Sequence, residues 1–152
     1  MMMTKTVKYW GPVVLWMGFT YVMSTDAFSS EHTSRIIEPI LRFLFPSISP
    51  HALHLVHFAI RKLAHLTEYF VLGLLLFRAI RSGSIERRSL RWAMVSLILV
   101  ALFAAGDEFH QMFVASRGPS IIDVAIDTTG GILALLLAVL NHHRRQRVPD
   151  TQ

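Results

Sequence analysis

Residues 106–127, which read GDEFHQMFVASRGPSIIDVAID, concentrate acidic side chains in an otherwise apolar chain. The whole sequence has ten Asp and Glu residues, and four of them lie in this segment around a single arginine, Arg117. The four are Asp107, Glu108, Asp123 and Asp127. Carboxylates beside a guanidinium form strong charge-assisted hydrogen bonds, and carboxylates within a membrane also mark ion paths. This segment is therefore the first candidate for a functional site.

A second group of polar residues lies in the sequence KLAHLTEYFVLGLLL. Lys62, His65 and Tyr69 are separated by three and four residues, so they share one face of a helix. In the first segment, Asp107 and Gln111 are four residues apart and share a helix face in the same way. Each group is therefore expected to present its polar side chains from one side of a helix.

The composition indicates an integral membrane protein. Charged residues make up 16% of the chain, whereas a soluble domain has about 25%. Hydrophobic residues make up 53%, and they occur in runs near the length of a bilayer crossing. There is no cysteine, which excludes disulfides, thiolate nucleophiles and cysteine-ligated zinc.

We predict an all-α polytopic membrane protein that forms a single domain over residues 1–152. It has four transmembrane helices and a short amphipathic helix on the outer side. The transmembrane helices are expected at about residues 9–23, 63–80, 92–110 and 121–140. Each has on the order of 15–20 residues, enough to cross about 25–30 Å of hydrocarbon. Lys5 and Lys8 before the first segment also resemble a signal peptide, but a poor cleavage site favours a retained helix.

The segment between the first two spans also contains helical patterns. Residues 35–45, RIIEPILRFLF, place Glu38 and Arg42 opposite an apolar face. That face consists of Ile36, Ile37, Ile40, Leu41 and Leu44. The run is too short to span a bilayer, so we predict an amphipathic helix in the outer interface. Ser49 and Pro50 are typical of a helix N-cap and first position, so the second helix is expected to begin outside the membrane.

The basic residues are distributed unequally between the two sides of these spans. One side carries ten of them against two acidic residues, and the other carries five against eight. The ten are Lys5, Lys8, Arg78, Arg81, Arg87, Arg88, Arg91, Arg144, Arg145 and Arg147. The positive-inside rule assigns that side, with both termini, to the cytoplasm. Short basic flanks without base-stacking aromatics also argue against nucleic-acid binding.

With this topology, the polar residues of three helices all reach the outer leaflet, where we predict a ligand-binding site. Its residues are Lys62, His65, Tyr69, Asp107, Glu108, Gln111, Arg117, Asp123 and Asp127. A lone charge at a helix centre costs about 2.5–3.5 kcal/mol, so the bases are expected to face the acids. The alternative is that pairs such as Lys62–Glu108 or Arg117–Asp123 only hold the helices in register.

These residue types leave the question of an enzymatic reaction open. Glu108, His65 and Glu68 are the candidates for general acid–base catalysis, although almost any buried acid satisfies the same argument. Ser116 and Ser120 lack the GxSxG context of a nucleophilic serine. His65 and Glu68 offer a single i, i+3 pair of ligands without an HExxH motif, so neither a metal nor another cofactor is predicted.

The two polar blocks resemble the VanZ-like family of small bacterial membrane proteins. KLAHLTEYFVLGLLL follows the family pattern K-x-x-H-x-x-x-Y-x-x-x-G through Lys62, His65, Tyr69 and Gly73. DEFHQMFVASRGPSIIDVAIDTTGG follows D-E-x-x-Q-x-F, then an arginine, then D-V-x-x-D/N-x-x-G. The matching residues there are Asp107, Glu108, Gln111, Phe113, Arg117, Asp123, Asp127 and Gly130. The resemblance covers roughly Tyr9–Leu140.

The sequence departs from this family pattern at two places. Ala115-Ser116 stands where the family often has Pro-Gly before the arginine. Ala134 replaces a commonly seen glycine on the fourth helix, which puts close helix packing there in doubt. Neither departure removes a charged residue of the predicted site.

The resemblance implies a role at the bacterial cell envelope, in the cytoplasmic membrane, and the founding member is linked to glycopeptide (teicoplanin) resistance. Our leading hypothesis is a protein that binds or processes a membrane-lipid headgroup or a cell-wall precursor at the outer leaflet. Lys62 and Arg117 would contact phosphate or carboxylate, while the acids orient those bases or bind a cationic group. The alternatives are a proton- or ion-coupled transporter and a membrane scaffold. Apolar inner halves of the second and fourth helices disfavour transport.

Overall fold

The computed structural model describes residues 4–82, 89–114, 118 and 120–147. Over this part of the chain the regular secondary structure is entirely helical, which confirms the predicted all-α class. A short 3-10 helix, Asp26–Phe28, lies between the first two α-helices. The α-helices are α1 (Lys5–Met23), α2 (Ser30–Leu44), α3 (Pro50–Arg81), α4 (Ser89–Gln111) and α5 (Ile121–Arg147).

Three helices, α3, α4 and α5, are long and apolar enough to cross a membrane. They contain the predicted second, third and fourth spans. α1 also forms, over 19 residues, and it contains the predicted first span. It is not among the three, because Lys8 and several Trp, Tyr, Gly and Thr residues lower its mean hydropathy. Length and composition therefore identify three crossings rather than the four that we predicted.

α3 is much longer than the span predicted for it. It begins at Pro50, and the Ser49 hydroxyl caps it by accepting a hydrogen bond from the Ala52 N–H at 3.2 Å. The N-cap and first-position proline expected from the sequence are thus confirmed. The 32 residues of α3 extend about 48 Å, which exceeds the roughly 30 Å of a hydrocarbon core. Part of α3 therefore projects beyond any membrane that it crosses.

α2 begins earlier than the predicted interfacial helix and continues through Pro39. Glu38 and Arg42 form an ion pair at 2.8 Å on its surface. Several apolar side chains of α2 are exposed, namely Ile36, Ile40, Phe43 and Leu44. The helix thus presents both charged and apolar side chains to its surroundings. Its placement in a membrane interface stays a prediction.

The most extensive helix contact joins α3 and α5, and glycines allow their backbones to touch. A Cβ atom at Gly130 would lie 2.3 Å from the Leu66 carbonyl oxygen, so only hydrogen fits there. On the α3 side, a Cβ at Gly73 would lie 3.1 Å from the Ala134 Cβ. The backbones of α3 and α5 therefore approach each other closely at Gly130–Gly131. Ala134 does not prevent it, because the glycine opposite, Gly73, leaves room for the alanine methyl group.

The helices alternate in direction, so the two ends of the bundle differ in chemistry. The end that carries Asp107, Glu108, Asp123 and Asp127 is called the acidic end below. At the opposite end, called the basic end, Arg81 contacts His142. The buried core between the two ends is apolar and contains Leu72, Leu76, Ala79, Val100 and Ala104. The two polar cavities described below lie at the two ends of this core.

The backbone contact at Gly130 predicts a large effect of one methyl group. Gly130→Ala should lower the free energy of unfolding by about 1–3 kcal/mol, because the new Cβ would overlap the α3 backbone. Unfolding of the purified protein in detergent would measure this. Gly106→Ala is the matched control, since nothing lies within 4 Å of a Cβ there. Equal losses in the two variants would contradict the direct contact of α3 and α5.

Candidate ligand-binding site at the acidic end

Buried polar side chains from three helices meet at the acidic end. α3 contributes His65 and Tyr69. The C-terminal end of α4 and the first two turns of α5 contribute the other side chains. The residues with at most 9% exposure are His65, Tyr69, Asp107, Glu108, Gln111, Asp123 and Asp127. They are the residues predicted for the site, apart from Lys62, which is partly buried, and Arg117. Arg117 and Ser116 lie outside the described residues.

An ion pair joins α3 and α5 at the acidic end. Lys62 Nζ donates to Asp123 Oδ1, and the two side chains are only 20% and 7% exposed. The Lys62 ammonium also lies 5.0 Å from the centre of the Phe58 ring, where a cation–π contact adds to its stabilisation. The observed partner of Lys62 is thus Asp123, not Glu108 as in one of the structural pairs considered from the sequence.

One turn deeper, a second contact joins the same two helices. His65 Nδ1 lies 3.2 Å from Asp127 Oδ1, and Asp127 is completely buried. Neither Asp127 oxygen has a partner with hydrogen-bond geometry among the described residues. His65 is therefore close enough to compensate the carboxylate electrostatically, while both oxygens keep the capacity to accept further hydrogen bonds.

Tyr69 lies one further turn along α3. Its ring is buried and lies 6.0 Å from that of Phe103, centre to centre. Its hydroxyl is buried and has no hydrogen-bond partner in the described part of the chain. Asp107, Glu108 and Asp127 are all within electrostatic range of this hydroxyl. Tyr69 thus forms the deep limit of the polar cluster, beyond which the core is apolar.

The described partners of the α4 acids are an amide side chain and a backbone N–H, whereas the sequence analysis expected basic side chains to face them. Gln111 Nε2 donates to Asp107 Oδ2 at 3.1 Å within the same helix. Glu108 Oε2 accepts a hydrogen bond from the Ser120 backbone N–H at 2.6 Å, directly before α5 begins. The other oxygen of Glu108, Oε1, is buried without a partner among the described residues. Glu108 therefore positions the start of α5 with one oxygen and has the other available for a ligand.

A cavity of about 200 Å³ lies beside this cluster, between α1, α2, α3 and α4. His65 and Asp107 belong both to the cluster and to the cavity wall. Its remaining lining residues are Thr20, Met23, Ser24, Thr33, Ile37, Ile60, Arg61, Ala64 and Glu68. A small, largely apolar pocket with a few convergent polar groups is the usual form of a ligand site. Its volume suits a headgroup-sized ligand rather than a whole lipid.

Several residues of the site were not predicted from the sequence. Trp16 donates from Nε1 to the Glu68 carbonyl oxygen at 2.9 Å, which anchors α1 to α3 beside the cavity. Tyr21 and His110 form another link between α1 and α4 at 3.2 Å. Glu68, a catalytic candidate, lines the cavity wall rather than the buried cluster. The aromatic residues of α1 were a usable signal, but they indicated a membrane boundary as readily as a helix contact.

The charges of the cluster do not balance among its described members. Four carboxyl groups accompany only Lys62 and His65, with Arg61 on the cavity wall. Carboxyl groups therefore outnumber basic groups among the described members, and Arg117, the other base predicted for the site, lies outside them. In the described part of the chain, no group of three or more His, Asp or Glu side chains is arranged to hold a metal ion.

The Lys62–Asp123 pair predicts a measurable coupling. Lys62→Met and Asp123→Asn should each destabilise the protein by leaving one charge without its partner, and the double variant should lose less than the sum. We expect a coupling of about 1–3 kcal/mol in a double-mutant cycle. The exposed pair Glu38–Arg42 is the control, with an expected value below about 1 kcal/mol. A coupling no larger than this control would contradict a compensated buried pair.

Comparison with known proteins identifies related sequences at the family level only. A family model, VanZ/LLP1, matches residues 9–142, which cover α2, α3 and α4, most of α1 and α5, and every residue of the cluster. No curated protein and no solved structure matches the chain significantly.

Proposed function

The chain belongs to the VanZ/LLP1 family, and from that premise we propose that it binds an envelope lipid headgroup or cell-wall precursor at the outer leaflet. The acidic end would be the binding end, and the protein would lie in the bacterial cytoplasmic membrane. The observation that carries the proposal is the described cluster of four buried acids with His65 and the partly buried Lys62, beside a headgroup-sized cavity. Burying ionisable groups within a membrane costs free energy, so such groups usually pair with one another and mark functional sites.

The proposed topology has four crossings, with α1 as the first and both termini in the cytoplasm. α1 packs on α3 through its buried Val13 and Thr20. Its other side carries large exposed apolar side chains, including Val14, Leu15 and Phe19, as expected of a lipid-facing surface. The clustering of basic residues at the opposite end from the acids supports the same orientation. α2 would then lie in the outer interface and cover the cavity with Thr33 and Ile37.

The ligand best suited to this site carries both an anionic group and an amine. Arg61 on the cavity wall, together with Lys62, can bind phosphate or carboxylate. Asp123 holds Lys62 in place for this contact. The carboxylates can bind an ammonium group, in particular through Glu108 Oε1 and the Asp127 oxygens, which have no hydrogen-bond partner among the described residues. His65 and Tyr69 would supply further hydrogen bonds or a proton, so processing of the bound headgroup is compatible with the same geometry.

The two alternatives make different demands on the structure. A transporter needs polar groups along its whole path, whereas the described core beyond Tyr69 consists of apolar residues such as Leu72, Leu76 and Val100. A pathway through one protomer is therefore disfavoured. A scaffold would use the cluster only for stability. In that case Glu108→Ala would change abundance or partner binding, and Glu108→Gln, which can still accept from the Ser120 N–H, would not.

Two variants test recognition of the headgroup without large packing changes. Native mass spectrometry should show that the parent protein binds phosphatidylethanolamine more strongly than phosphatidylglycerol, because only the former carries an amine. Glu108→Gln should remove this preference, and Lys62→Arg should weaken headgroup binding by about tenfold, since a guanidinium differs in shape from an ammonium. Arg42→Lys, at an exposed position on α2, is the control. Equal binding by parent, Glu108→Gln and Lys62→Arg would overturn the proposal.

The resemblance to the family also predicts an effect on glycopeptide susceptibility. Bacterial cells that express the parent protein should tolerate more teicoplanin than cells that express Lys62→Arg at the same membrane level. The reason is that an altered headgroup site would no longer act on the envelope component. The measurement is the minimal inhibitory concentration, with immunoblotting of membranes as the control. If cells with the parent protein, the variant or the empty vector tolerate teicoplanin equally, this protein does not confer resistance.

A further inference from the structure

A second polar cavity lies at the basic end, on the opposite side of the apolar core from the candidate site. It has a volume of about 210 Å³, and the described residues that line it belong to α3 and α5. These are Phe77, Arg78, Arg81, Ala138, Asn141 and His142. Two arginines, an amide and an imidazole therefore surround a small space between two helices, with apolar side chains beside them.

Arg81 is positioned by a hydrogen bond to a residue of α5. Its Nη1 donates to His142 Nδ1 at 3.1 Å. Because a guanidinium can only donate, His142 is the acceptor in this hydrogen bond. Arg81 Nε is buried and has no hydrogen-bond partner among the described residues. His142 therefore orients the Arg81 guanidinium. The Nε–H of Arg81 can still donate a hydrogen bond to a ligand.

Arg78 and the aromatic residues complete the surroundings. The Arg78 guanidinium lies 5.3 Å from the centre of the Tyr9 ring, which links α1 to this end of α3. The Trp92 ring lies edge-on at 5.7 Å from His142 and supports it from α4. All described carboxyl side chains within α3, α4 and α5 belong to the acidic end. The two arginines thus have no carboxylate partner in the described part of the chain.

We propose that this basic cavity binds a phosphate group, with an anionic phospholipid headgroup as its source. A planar guanidinium matches the geometry of phosphate oxygens, and two arginines together exceed the charge that one phosphodiester carries. Basic pockets between transmembrane helices on the cytoplasmic side bind anionic headgroups in other membrane proteins. In the proposed topology this cavity faces the inner leaflet. It is therefore independent of the headgroup site at the acidic end.

Lipid titration into the purified full-length protein, monitored by native mass spectrometry, tests this. Phosphatidylglycerol should bind the parent more tightly than phosphatidylcholine, and Arg81→Gln should weaken phosphatidylglycerol binding roughly fivefold. Arg81→Lys should recover part of the loss, because it keeps the charge but not the planar fork. Arg42→Gln, at an exposed position on α2 that lines neither cavity, should leave this binding unchanged. Thermal unfolding of each variant shows that it is folded.

Arg91→Gln is the matched control, because Arg91 is exposed at the same end but does not line the cavity. A loss in Arg91→Gln equal to that in Arg81→Gln would indicate general surface attraction and overturn the proposal. Unchanged phosphatidylglycerol binding in Arg81→Gln would also overturn it. A second arm titrates inorganic phosphate into protein held in phosphatidylcholine nanodiscs. If the parent binds inorganic phosphate and Arg81→Gln does not, the site is assigned to free phosphate. If the parent binds phosphatidylglycerol but no inorganic phosphate, the site is assigned to the lipid headgroup.

Discussion

A charge buried between membrane helices needs an opposite charge within a few ångströms, and α3 and α5 meet this requirement for each other. Lys62 is compensated by Asp123, and one turn deeper His65 faces Asp127 at 3.2 Å. These contacts are only possible because the two backbones touch a little further along, where Gly130 meets the Leu66 carbonyl. The glycine contact sets the separation and rotation of the helices, and the paired charges depend on both.

The same arrangement explains why the two blocks of the family pattern occur together. Residues of the first block lie on α3, and their partners in the second block lie on α5. Lys62 with Asp123, and Gly73 with the region of Ala134, are opposite sides of one helix interface. The Asp-Glu and Gln positions of α4 then close the cluster from a third side, with Glu108 holding the backbone before α5. The pattern is thus a description of an interface as well as of a candidate site.

The apolar core divides the protein into two ends with different chemistry. At the acidic end, the described carboxyl groups outnumber the described bases beside a cavity lined by α1, α2, α3 and α4. At the basic end, two arginines without described carboxylate partners border a cavity between α3 and α5. In a bilayer, the two ends would meet the headgroups of opposite leaflets. On the two proposals above, one small bundle would recognise different headgroup chemistries at its two ends, with α2 present at the acidic end.

The sequence by itself determined the elements and the faces that carry the polar residues. Apolar run lengths predicted α3, α4 and α5, the Ser49-Pro50 pair predicted the start of α3, and helical spacing placed Lys62, His65 and Tyr69 on one face. These properties are local, because they depend on backbone geometry and on transfer of each segment out of water. The same signal predicted a span within α1, but the polar and aromatic residues of α1 keep it outside the three helices that length and composition identify as crossings.

Only the tertiary structure decided which charges pair. It selected Asp123 rather than Glu108 as the partner of Lys62, and it gave Glu108 a backbone N–H at Ser120 instead. It also placed Arg81 against His142 and formed the two cavities. The physical reason is that periodicity defines the direction of a side chain around its own helix only. The rotation and shift between helices come from contacts such as Gly130 on Leu66, which join residues far apart in the chain.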